Sequence, residues 1–325
     1  MKHRTIQMLG ITAVLATSIA QAKPGDRFRE RMAERRAESG ATGGADDTQI
    51  ERSGRANKTG IKVSYGSDEA QRVLIWRAGD RRVGAEADAR PGQRPPLAVF
   101  IHGGGWQKGM PELVDNKPAW FKDHGWAFAS IGYRLLPGSP VEEQARDVGR
   151  ALAELRKQAV RFGYDPDRIL LFGHSAGAHL TALVSSDPQY AGDSFGAIKA
   201  AILIDGACYD VPAQIAASPF MAKRTYIPAF SEDPARQRQL SPITHAGGRD
   251  VSDWLLLYTA ARDDAKAQSE ALAAALRRGS TLTELVQVPS TESARKAHLE
   301  INRAFGTASY AANPQIEAIM RRVAR

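Results

Sequence analysis

From about Gly60 onward the chain alternates short apolar runs with amphipathic stretches, and this alternation limits its fold more than any other feature. Residues 97–101, 126–131, 168–172, 199–204 and 254–259 are close to continuous apolar runs. A strand covered on one face alternates apolar with polar residues, whereas a strand covered on both faces does not. Such runs need helices on both sides, and helical patterns lie between or after them at residues 141–161, 176–186, 266–278 and 314–323. Residues 61–65 and 72–76 read as an opening pair of strands, and 282–288 as a closing one. The pattern predicts an α/β fold with a mostly parallel central sheet flanked by helices. Residues 206–250 break the alternation with five prolines, scattered aromatics and no clean period. A long irregular insertion at this point is expected to sit over the carboxyl edge of the sheet as a small cap on a pocket.

The N-terminus reads as a targeting segment. Lys2, His3 and Arg4 form a basic start, residues 6–20 carry no charge, and Ala20-Gln21-Ala22 fits a signal-peptidase site. A membrane anchor usually needs ~20 apolar residues, and this run is shorter and interrupted by Gln7, Thr12, Thr17 and Ser18. Residues 1–22 are therefore expected to be a signal peptide, 23–59 a charged flexible segment and 60–325 one α/β domain, in a secreted or periplasmic protein. Without its leader the protein is expected not to insert stably into a membrane. The net charge of +8 is concentrated partly in Arg27, Arg29, Arg31, Arg35 and Arg36, which alternate with acids. That reads as a solvated leader, and no motif points to nucleic acid. The one cysteine, Cys208, excludes an intrachain disulfide and reads as a small buried residue.

Two glycine-rich segments carry the chemistry. Gly173-His174-Ser175-Ala176-Gly177 follows an apolar run and precedes a helical pattern. In that strand–turn–helix context a G-x-S-x-G serine is forced out of the top of the sheet, with the helix N-terminus favouring negative charge beside it. His102-Gly103-Gly104-Gly105-Trp106 follows the run at 97–101. Consecutive glycines leave backbone N–H groups uncovered, free to meet a carbonyl oxygen as it becomes an oxyanion.

A serine nucleophile needs a base, and where this elbow occurs the base follows both nucleophile and acid in the chain. Only His179, His245 and His298 lie beyond Ser175. His179 falls one turn into the elbow helix, and His245 precedes the best acid candidates. His298 follows the last predicted strand after a polar loop, which makes it the expected base. The acid is expected just past a strand end. Asp263, directly after the run at 254–259, is the first choice, Asp264 comes close behind, and Asp205 at the end of 201–204 is a third candidate.

These motifs, with Tyr133-Arg134-Leu135, Asp165-Pro166-Asp167-Arg168-Ile169 and His298-Leu299-Glu300-Ile301-Asn302, resemble the hormone-sensitive-lipase-like and feruloyl-esterase-like carboxylesterases of the α/β-hydrolase superfamily. The resemblance spans roughly residues 61–306. It implies that the N–H groups of Gly104, Gly105 and Ala176 form the oxyanion hole. Gly-His-Ser in place of Gly-Asp-Ser leans toward the feruloyl-esterase-like and arylformamidase-like relatives. Trp106 and Tyr133 are expected to contact substrate; Tyr209 and residues 220–230 also offer aromatic surface. The expected function is a serine carboxylesterase for short-chain or aryl esters. The alternatives are an arylformamidase-like amidase with the same triad and a catalytically silent binding scaffold. No cofactor or metal is expected, since the chain has no His-Glu-x-x-His, cysteine cluster or phosphate-binding glycine loop.

Overall fold

A computed structural model describes residues 60–79 and 94–325. The predicted signal peptide and charged leader lie outside the described residues. Eight strands form one sheet: β1 (Ile61–Ser64), β2 (Arg72–Trp76), β3 (Leu97–Ile101), β4 (Ala127–Ile131), β5 (Ile169–His174), β6 (Ile198–Ile204), β7 (Asp253–Thr259) and β8 (Leu282–Val288). Their order is β1-β2-β4-β3-β5-β6-β7-β8. β2 pairs antiparallel with β1 and β4, and every other neighbouring pair is parallel. The mostly parallel sheet read from the sequence is the one observed.

The helices used below are α1 (Lys117–Asp123), α2 (Val141–Phe162), α3 (Ala176–Ser186), α4 (Val211–Ala217), α5 (Asp263–Arg278), α6 (Ala294–Arg303) and α7 (Asn313–Val323). Strand residues divide between two apolar layers. Val99, Leu171, Leu203 and Leu256 pack with Leu152 and Leu155 of α2, Leu180 of α3 and Leu272 of α5. Phe100, Phe172, Ile202 and Leu255 pack with Phe121 of α1, Ile301 of α6 and Ile319 of α7. Because side chains of a strand point to opposite faces in turn, the central strands must be apolar at every position to fill both layers.

Several features differ from the sequence reading, α1 among them, since no helix was read at residues 117–123. Residues 206–250 are helical for much of their length, in short pieces: α4, Pro219–Met221, a π-helical turn Ala222–Tyr226, Ile227–Phe230, Pro234–Gln239 and Pro242–His245. Prolines at the first turns start these pieces, where a missing N–H costs nothing; the same prolines hide any long period. The polar loop expected before His298 is there at residues 289–293, but it leads into α6, a helix that holds His298 and was not read from the sequence. The inward face of α6 has only Ala297 and Ile301 buried, too little apolar content to show as a pattern. α5 starts at Asp263, not Lys266, so that both aspartates fall in its first turn. Carboxylates are favoured there by the helix dipole.

Parallel register aligns the strand ends that feed the site. Ile101 pairs with Gly173, His174 with Ile204, and Ile204 with Leu257. The loop after β3, the turn after β5 and the ends of β6 and β7 therefore open side by side at one edge, as expected for ligand sites in α/β sheets.

Candidate active site

Ser175 stands between β5 and α3 with φ 56° and ψ −120°. A non-glycine residue at positive φ is strained, and here Ser175 N–H donates to Ile204 O at 3.0 Å, tying the turn to β6. Sharp passage from β5 into α3 brings the helix against the end of β3. A methyl placed on Gly177 would lie 2.1 Å from Ile101 O, so only glycine fits. The loop at 102–106 lies against the nucleophile in the same way, since a methyl on Gly103 would come within 3.0 Å of Ser175 Cβ.

Gly104, Gly105 and Trp106 all have positive φ, at 124°, 60° and 62°. The loop is closed by Gln107 N–H and Lys108 N–H donating to Gly104 O, which uses that carbonyl and no N–H of Gly104 or Gly105. Ala176 is the first residue of α3, where a backbone N–H has no partner within the helix. The three donors implied by the resemblance thus belong to a loop and a helix start that flank Ser175.

His298 stands in α6, and Asp205, just past the end of β6, is its partner. Nδ1 of His298 lies 2.6 Å from Asp205 Oδ2. Asp205 is fully buried and has φ 47°. Its Oδ1 accepts from Thr259 N–H at 2.9 Å, and its Oδ2 accepts from Arg262 Nη1 at 2.9 Å. Burial pushes its pKa upward, but the bond from His298 and the Arg262 charge outweigh that and bring it down to about 2. Asp205 is therefore a carboxylate at neutral pH.

Asp263, the sequence's first choice of acid, is an exposed residue at the start of α5 and makes no contact with His298. Asp264, the second, accepts from Arg262 Nη2 at 2.8 Å and from Gln214 Nε2 at 3.1 Å. The carboxylate beside His298 is thus the third candidate, because α5 begins one residue after Arg262 and both aspartates fall in the helix start.

His174, inside the elbow, joins the two halves of the site. Its Nε2–H donates to His298 O at 2.8 Å, and the two rings lie 4.5 Å apart. Burial, and next the charge of a protonated His298, push its pKa well below the ordinary range, so it stays neutral. The sequence offered no sign of this role beyond the residue's place beside Ser175.

The expected substrate contacts Trp106 and Tyr133 are both buried, at 3% and 1% exposure. Tyr133 lies beneath the glycine loop, where its ring stacks on His102 and its hydroxyl donates to His102 O at 2.9 Å. Trp106 donates through Nε1 to His179 Nδ1 at 3.3 Å and meets Phe230 edge-on at 4.8 Å. Both are held by hydrogen bonds within and behind the glycine loop. His179 Nε2–H donates to Leu240 O at 2.9 Å, and burial brings its pKa down to about 4. His245 instead bonds Gln239 O on the 206–250 segment. Tyr209 and Phe230 are buried, Phe220 is exposed, and Thr225 of the π-helical turn comes within 3.3 Å of a methyl placed on Gly105. This last contact puts the segment over the glycine loop. Cys208 is buried and its thiol is pushed up by desolvation, which disfavours the thiolate. Among the described residues there is no cluster of three or more metal-binding side chains.

Residues 87–204 match the family model BD-FAE. The chain is 33% identical over 133 residues to esterase LipC of Mycobacterium tuberculosis, covering 40% of this chain and 31% of that one. It is 27% identical over 245 residues to esterase LipQ of the same organism, covering 71% of this chain and 56% of that one. The matched stretch thus spans about half or less of these relatives' length. Among solved structures, esterase B from Lactobacillus rhamnosis superposes with a TM-score of 0.69 at 21% identity, covering 92% of this chain and 96% of that one. The chain has the α/β-hydrolase fold, and its sequence is similar to that of esterases.

Proposed function

We propose that this protein is a serine carboxylesterase that hydrolyses short-chain or aryl carboxylic esters through an acyl-enzyme, with Ser175 as nucleophile, His298 as base and Asp205 as acid. The observation that carries this reading is the Asp205–His298 pair, at 2.6 Å, on an elbow that presents Ser175 beside a glycine loop. Similarity to LipC and LipQ, both named esterases, supports the ester class.

Each group has one task. His298 Nε2 takes the proton from Ser175 Oγ as the oxygen attacks the ester carbonyl. Asp205 accepts Nδ1–H, which fixes the tautomer that leaves Nε2 free, and it stabilises the imidazolium that forms. The carbonyl oxygen, now an anion, meets the N–H groups of Gly104, Gly105 and Ala176; one such donor is typically worth ~10²–10³ in rate. The proton on Nε2 passes to the departing alcohol. Water then attacks the acyl-enzyme, giving its proton to the same nitrogen, and the acid leaves with Ser175 restored. No step uses a metal or an organic cofactor. The Ala20-Gln21-Ala22 site supports export to the periplasm or beyond, which N-terminal sequencing of the mature protein checks.

The test is a fluorophosphonate probe, followed by a panel of short acyl esters, aryl esters and N-formyl amides. The esterase reading expects the label on Ser175 and faster turnover of esters than of amides. Label with faster N-formyl cleavage assigns the triad to an amidase. Folded protein that takes no label is a binding scaffold.

A further inference from the structure

The position after β7 that was expected to supply the acid supplies a guanidinium instead. Arg262 Nη1 lies 2.9 Å from Asp205 Oδ2, 3.0 Å from Asp205 O and 2.8 Å from His298 Nδ1. Its Nη2 and Nε hold Asp264 at 2.8 and 3.3 Å. Only 14% of the Arg262 side chain is exposed. A guanidinium is always charged and only donates. With Nδ1–H donating to Asp205, Arg262 and His298 are two donors converging on one carboxylate oxygen. The other tautomer would face the Nδ1 lone pair with Oδ2 at 2.6 Å, a repulsive contact. Asp205 thus fixes the tautomer, while Arg262 sets a permanent positive charge against the ring that must become positive during attack.

We propose that Arg262 is a positioning residue that aims Asp205 at His298 and opposes the positive charge the ring takes up during attack, and that Asp264 sets how strongly it does so. The inference rests on the triad proposed above. The titratable groups around the Asp205–His298 pair come from several elements. Asp205 comes from β6, Arg262 and Asp264 from the turn into α5, and neutral His174 from β5. Behind His174, on α1, lies buried Lys117. Asp264 draws part of the Arg262 charge away from the ring. It is itself held by Gln214 of α4, whose Nε2 also lies 3.2 Å from Tyr226 of the π-helical turn. A hydrogen-bonded chain thus runs from the segment over the glycine loop to the base, through Gln214, Asp264, Arg262 and Asp205.

The signs are opposite for the two ends of the Arg262–Asp264 pair. Without the Arg262 charge, Asp205 stabilises the imidazolium alone, and His298 protonates at higher pH. Without the Asp264 charge, Arg262 bears on His298 more fully, and His298 protonates at lower pH. The readout is the second-order rate of fluorophosphonate labelling of the full chain against pH, whose acid limb reports the base in the free enzyme. Arg262→Gln is expected to move that limb up by about one pH unit and to slow labelling ~10-fold at the plateau, as Asp205 loses its second anchor. Asp264→Asn is expected to move the limb down by a smaller amount, about half a unit, with near-normal plateau rate. Arg262→Lys keeps the charge without the fork, so its limb should stay near that of the wild type while its plateau falls. Should Arg262→Gln fail to fold, the Asp264→Asn and Arg262→Lys curves still decide. Limbs that coincide with the wild type, or that shift in the same direction in Arg262→Gln and Asp264→Asn, overturn the inference. If the wild type takes no label at Ser175, the triad itself falls, and the inference with it.

Discussion

Ser175 and the glycine loop meet through backbone, while Asp205 and His298 meet through side chains 93 residues apart in the chain. On the first side, the geometry is set by what cannot be added: a methyl on Gly177 or Gly103 would strike Ile101 O or crowd Ser175 Cβ. On the second side, it is set by what is shared, since Asp205 serves His298, Arg262 and Thr259 at once. The first arrangement tolerates few residue types and is written in short motifs. The second allows several carboxylates to compete for one histidine and leaves no motif. A backbone-built half should fail through sterics, and a side-chain-built half through charge and tautomer.

The largest effect should come where both halves converge. Ser175→Ala is expected to lower kcat for a p-nitrophenyl ester by ~10⁴–10⁶ with an unchanged circular dichroism spectrum; retention of most activity would remove Ser175 from the mechanism. Next comes the acid. Asp205→Asn should cost ~10³–10⁴ in kcat through the wrong histidine tautomer, and Asp263→Asn less than about threefold, since it faces solvent. Reversal of that ranking in steady-state kinetics would return the acid to α5. Asp205 also has a folded pKa, about 2, below its ordinary 3.8. Its contribution to stability is therefore present above the unfolded value and lost as pH falls through the folded one. Chemical denaturation should show stability falling between pH 4 and pH 2 less steeply in Asp205→Asn than in the wild type.

The backbone half is expected to break differently. Gly177→Ala should destabilise the fold by roughly 1–3 kcal/mol through overpacking against β3, read as a lower urea midpoint at unchanged slope. A variant as stable as the wild type would show that α3 has room to move. Tyr133→Phe should have the smallest effect, about 1 kcal/mol of stability from the lost bond to His102 O, with KM unaltered. A rise in KM at constant stability would instead make Tyr133 a substrate contact.

The eight strands, their largely parallel pairing, the elbow and the glycine loop were legible in the sequence because each rests on local chemistry. Apolar residues at every strand position reveal a sheet covered on two faces, and glycine at a positive φ or a close approach has no substitute. His298 followed by elimination, since few histidines lie beyond Ser175. α1, α6 and the helices of 206–250 were not legible: they are short and started by proline or polar residues, so no apolar period repeats within them. Which carboxylate meets His298 was a matter of tertiary structure alone. Asp205 and Asp263 both follow a buried strand, and each satisfies the chain order. Parallel register sets Ile204 beside Leu257, so that both strand ends open toward His298. What separates them is that β6 ends in a residue at positive φ whose carboxylate turns inward, while β7 runs through Arg262 into a helix that draws Asp263 and Asp264 to its own N-terminus.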